Sequence, residues 1–121
     1  MPRVVHFEIS ADDPDQAAHF YTDVFSWKIN KWDGPQDYWL ITTGEGEPGI
    51  DGGLMRRHES SNGTVNTIDV PDLDVYVKRV ENKGGKVVAP RMTVPGVGYL
   101  AYCQDPAGNT FGMLQGDPAA A

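Results

Sequence analysis

The chain has 121 residues, 40% of them apolar, which is enough for one domain with a core of its own. Seventeen Asp and Glu against ten Lys and Arg leave a net charge of -7. Such a balance excludes nucleic acid and anionic membrane surfaces as partners, because both require clustered cations, and only Arg56-Arg57-His58 and Lys78-Arg79 are clustered.

Val5, Phe7 and Ile9 alternate with His6, Glu8 and Ser10. That period of two predicts a first strand with one apolar and one polar face. Asp12-Asp13-Pro14 is a helix start, an acidic cap with proline just inside. Ala17, Phe20, Tyr21, Val24 and Phe25 then recur at helical spacing, predicting an amphipathic helix over 13–25. Strands are expected over 27–31, 38–43 and 52–57, with turns at Asp33-Gly34-Pro35 and over Gly44 to Gly49. The glycines of 44–49 lie among acidic residues without lysine, so that loop would repel phosphate.

The same order then repeats at a shift of 59 residues: Ile9 falls on Ile68, Asp13 on Asp72, Asp15 on Asp74, and Gly53 on Gly112. A strand is expected over 65–70, and a helix over 72–83 lined by Leu73, Val77 and Val80 and stopped by Gly84-Gly85. Further strands follow over 86–89, 98–103 and 110–115. Asp105-Pro106-Ala107-Gly108-Asn109 is a tight turn, and residues 117–121 read as a frayed tail. Each copy is strand-helix-strand-strand-strand. The chain is therefore one α+β domain over 1–121, with units at 1–60 and 61–121 pairing into a mixed sheet.

Cys103 is the single cysteine, so there is no internal disulfide and no paired-cysteine zinc or redox motif. No apolar run reaches the ~18 residues of a membrane helix. Residues 1–6 enter a strand pattern without a leader's apolar core, so a cytoplasmic protein is expected. Nucleophile elbows, phosphate loops and zinc motifs are absent. His19, on the first helix, and His58, after two arginines, are expected at the surface.

Three stretches carry a family resemblance. They are Val5-His6-Phe7-Glu8-Ile9 with His19-Phe20-Tyr21 and Phe25-Ser26-Trp27-Lys28-Ile29; Asp72-Leu73-Asp74 with Gly84-Gly85-Lys86-Val87; and Asp105 through Gly112. Together they resemble the vicinal oxygen chelate superfamily of glyoxalase I, extradiol dioxygenases, fosfomycin-resistance enzymes and bleomycin-resistance proteins. Phe111-Gly112-Met113-Leu114-Gln115 is similar to the ending of a glyoxalase-like branch of it. The resemblance implies two paired βαβββ units forming an eight-stranded, open, cup-like mixed sheet with two helices. It also implies metal ligands on the first and last strands of each unit, at His6, Val65, Gly53 and Gly112. Only His6 can ligate, while a catalytic site needs about three protein ligands. No metal or other cofactor is therefore expected.

His6 and Glu8 stand two residues and about 6.6 Å apart on one strand face, and they are the candidate catalytic pair. A carboxylate beside an imidazole is expected to raise its pKa. Tyr38, Trp39, Tyr99 and Tyr102 lie on the third strands, where alternation sends some into the cup and others into the core. Trp39, Tyr99 and Tyr102 are candidate ligand-binding walls, with Met55 and Thr67 as further lining. The expected partner is a small, partly apolar ligand. The edges of a short sheet need covering, and relatives commonly pair, so a homodimer is expected. The function reads as a glyoxalase-like small-molecule protein of undefined reaction. The alternative is a lyase, isomerase or dioxygenase using His6 and Glu8 with a weakly held metal.

Overall fold

A computed structural model describes residues 2–57 and 63–121. His58 and the expectation attached to it lie outside the described residues. The elements are β1 (Arg3–Ala11), α1 (Pro14–Phe25), β2 (Lys28–Lys31), β3 (Tyr38–Thr42), β4 (Asp51–Arg56), β5 (Thr64–Asp69), α2 (Leu73–Asn82), β6 (Lys86–Val94), β7 (Gly98–Gln104) and β8 (Thr110–Gly116). This is the expected α+β class: two βαβββ repeats, eight strands in a mixed sheet, and two helices. By compactness the chain divides into residues 6–65, the first unit, and residues 66–121 with 1–5, the second.

In the first unit β1 runs parallel to β4, and β2, β3 and β4 are antiparallel neighbours. The Asp13 carboxylate accepts from the Gln16 N–H at 3.2 Å and Pro14 occupies the first turn, so α1 begins where the acidic cap requires. Ser26, with φ of 61°, ends it. Under α1 lies a core of Trp39, Ile41 and Leu54, packed by Phe7, Ile9, Ala17, Ala18, Trp27 and Ile29. The apolar stripe predicted on α1 is only partly buried, since Phe20, Val24 and Phe25 are exposed. Its aromatics stack on one another instead, with Tyr21 lying on Trp27 at 5.1 Å between centroids and 8° between planes.

The second unit repeats this plan. β5 is parallel to β8, and β6, β7 and β8 are antiparallel. The Asp72 carboxylate caps α2 by accepting from the Val75 N–H at 3.2 Å, 59 residues after its counterpart Asp13. Gln115 Oε1 accepts from the Leu73 N–H at 2.9 Å, so the terminal Gln of Phe111–Gln115 serves the start of α2. Leu73, Val70, Ala101, Cys103 and Met113 form the core. Asp105 accepts from the Asn109 side-chain amide at 3.0 Å and from the N–H groups of Asn109 and Ala107, both at 2.9 Å, which builds the tight turn and holds its carboxyl below the usual range.

Two expectations are corrected here. β6 extends to Val94 because register shifts between Val87 and Met92 accommodate Pro90, which cannot donate to the ladder. Residues 117–121 are not a frayed tail. Gly96 donates its N–H to the Ala120 carbonyl and Asp117 to that of Val97, both at 2.9 Å, and Ala120 is buried. Asp117 Oδ1 accepts from the Ala119 N–H and turns the chain back. Among the described residues, no helix is long and apolar enough to cross a membrane.

Candidate functional site

Phe7 and Ile9 pack into the core, so alternation turns His6 and Glu8 to the opposite face of β1. On β3, Trp39 and Ile41 are core residues, which sends Tyr38 and Leu40 to the His6 face. On β4, Leu54 is core, and Gly53 and Met55 lie opposite. The register sets Tyr38 against Met55 and Leu40 against Gly53.

On this face the Tyr38 hydroxyl bridges the two polar side chains of β1. It donates to Glu8 Oε2 at 3.1 Å and lies 3.1 Å from His6 Nε2. With its only proton committed to Glu8, the phenol oxygen can only accept from His6. The imidazole is therefore the tautomer protonated on Nε2. Glu8 is buried at 8% exposure. Burial pulls the His6 pKa below its ordinary 6.5, and this outweighs the opposing influence of Glu8 and Asp51. The expected upward shift is thus corrected: desolvation dominates the carboxylates, and His6 is neutral at pH 7. Leu40, 47% exposed, and Met55 give the face an apolar flank.

Gly53 makes room for this arrangement. A Cβ on it would overlap Tyr38 Oη and Cζ, so the phenol fills the space a longer fourth-strand side chain would need. Of the positions marked for metal ligation, Val65, Gly53 and Gly112 have no donor side chain. Among the described residues, no three His, Cys, Asp or Glu come together as a metal site. The donor set does not fit a catalytic metal, which needs about three protein ligands.

Trp39 and Tyr99 stand on the core faces of their strands. Trp39 is 7% exposed in the first core, and Tyr99 packs against the second. Tyr102 and Thr67 lie on the non-core face of the second unit. A Cβ on Gly112, between them, would come 3.3 Å from Thr67 Oγ1 and 3.3 Å from Tyr102 Cε1. His19 is exposed on α1. Cys103 is fully buried, and that burial raises its thiol pKa, so it is no nucleophile. Sequence reasoning named Tyr38 among the third-strand aromatics but did not choose it for the site, because its orientation required the β3–β4 register, and it missed Asp51, whose charge reaches His6 only through the β1–β4 pairing.

A model of the Glyoxalase/Bleomycin resistance protein/Dioxygenase superfamily matches residues 3–113. A glyoxylase-like domain-containing protein of Didymella fabae is 30% identical over 112 residues, 88% of each chain. Among solved structures, a hypothetical protein of Bacillus halodurans superposes with a TM-score of 0.74 at 13% identity, over 99% of this chain and 98% of that one. Methylmalonyl-CoA epimerase from Mycobacterium tuberculosis gives 0.71 at 18% identity, over 95% and 88%. At such identities these structures share the fold.

Proposed function

The chain belongs to the glyoxalase/bleomycin resistance protein/dioxygenase superfamily, and from that premise we propose that it binds a small, partly apolar molecule on the His6 face of its first unit. The observation that carries this reading is the Tyr38 hydroxyl held between His6 Nε2 and Glu8 Oε2. Polar groups fixed in one geometry beside exposed apolar surface are what a ligand site requires. Tyr38, His6 and Glu8 form the polar pole, and Leu40 and Met55 the apolar flank.

A thermal-shift screen of metabolites and antibiotics tests it. A true ligand at ~100-fold excess over its Kd stabilises the fold by roughly 2.7 kcal/mol. Tyr38→Phe should weaken such a ligand about tenfold, the effect of one lost hydrogen bond to a charged or polar group. Hits indifferent to Tyr38→Phe, His6→Ala and Glu8→Ala alike would contradict the site.

A second reading is an isomerase or lyase that moves a proton. It is favoured by the same chain of imidazole, phenol and carboxylate, three groups along which a proton can pass. Incubation of a hit in deuterated water separates the two. Exchange at a carbon beside its carbonyl, lost in Tyr38→Phe, marks catalysis, and binding without exchange marks the binding protein.

A further inference from the structure

The charge of the chain is not shared between its units. Residues 6–65 carry eleven Asp and Glu against four Lys and Arg, a balance of -7. Residues 1–5 with 66–121 carry six against six, a balance of zero. The whole net charge therefore belongs to the unit that holds His6, Tyr38 and Glu8. Three of that unit's four cations are already engaged with acids: Lys31 and Arg56 with Asp37, at 3.3 and 3.4 Å, and Arg57 with Asp12 at 3.3 Å.

Near the site the sign is the same. Glu8 is a buried carboxylate, and Asp51 is set against His6 in the β1–β4 register. Beyond Asp51, Glu45 and Glu47 line a hollow of about 190 Å³ with Thr43 and Pro48. His6, neutral at pH 7, does not offset these charges. A field of one sign draws ligands of the other and repels its own, and a carboxylate away from water interacts more strongly than one in it.

Resting on the binding reading above, we propose that the ligand of the His6–Tyr38–Glu8 face is a small organic cation. An ammonium group is held by the Glu8 carboxylate and the Tyr38 phenol oxygen, and a short apolar body lies on Leu40 and Met55. Carboxylates, phosphates and acyl-CoA thioesters are disfavoured by the same charges. This sets the chain apart in ligand sign from the methylmalonyl-CoA epimerases that share its fold.

The test uses three probes of similar size and different charge: phenethylamine, phenethyl alcohol and phenylacetate. Each is titrated into the full chain, with binding followed by protein NMR at low and at physiological salt. Phenethylamine should bind about tenfold more tightly than the alcohol, the scale of a hydrogen bond to a charged group, with phenylacetate weakest. Its advantage should shrink as salt rises. Glu8→Gln should abolish the preference for the amine, whereas Tyr38→Phe should weaken amine and alcohol together. The ranking on the unaltered chain stands even if a variant fails to fold. If the alcohol or phenylacetate binds best and Tyr38→Phe weakens it, the cation assignment falls while the site stands. Amine binding that perturbs only residues outside 6–65, or no perturbation by any probe, overturns both.

Discussion

Trp39→Ala is expected to destabilise the protein by about 3–5 kcal/mol, the cost of emptying a large aromatic site in a packed core. Trp39 is 7% exposed and meets Ile41, Leu54, Phe7 and Ile9 beneath α1. Its removal leaves a cavity in the first unit's core, where Ala17 and Ala18 of the helix pack and are too short to fill it. Denaturant unfolding measures the loss, and Trp39→Phe should recover most of it. Under conditions where the alanine variant remains folded, any ligand that depends on Tyr38 should still bind. A Trp39→Ala variant of near-native stability that had lost binding would return this residue to the ligand wall and reverse the assignment of β3 faces.

Gly53→Ala is expected to abolish the site by a single methyl group. The added carbon would overlap Tyr38 Oη and Cζ, so the ring must swing out and its bonds to His6 and Glu8 break. Glu8 then loses the hydrogen bond from the phenol, a cost of about 1 kcal/mol. Ligand affinity should fall at least as far as in Tyr38→Phe. Gly116→Ala is the control, because a Cβ there meets no atom within 4 Å. In a double-mutant cycle the two changes should be strongly non-additive, since each removes the same hydroxyl from the same place. Full additivity, or a Gly53→Ala variant that binds normally, would show that the phenol does not lie over Gly53.

The elements legible in the sequence were those with local causes. Asp13 and Asp72 start their helices through their own side chains, and Asp105 folds its turn in the same way, so position in the chain is enough to find them. The faces of β3 and β7 were not legible. Tyr38-Trp39-Leu40-Ile41 and Tyr99-Leu100-Ala101-Tyr102 place apolar or aromatic residues at consecutive positions, so no period of two can be read. Their orientation is decided by pairing with β4 and β8, which come later in the chain. For the same reason Trp39 was expected on the polar face of the first unit, where Tyr38 stands. The pKa of His6 is a further case: Glu8 is visible two residues away, but burial, the larger influence, comes from the fold. The tail was missed because Ala120 is held by Gly96, 24 positions earlier.

The state of the His6 ring tests the account most directly. Long-range proton–nitrogen NMR spectra report which ring nitrogen carries the proton, and His6→Gln assigns the signals among the three histidines. A neutral imidazole protonated on Nε2 is predicted at pH 7, titrating below 6.5 because burial disfavours its charge. In Tyr38→Phe the Nε2 signal should move, as its acceptor is gone. An imidazolium at pH 7, a ring protonated on Nδ1 alone, or an Nε2 signal indifferent to Tyr38→Phe would contradict the hydrogen-bonded chain on which the proposed site is built.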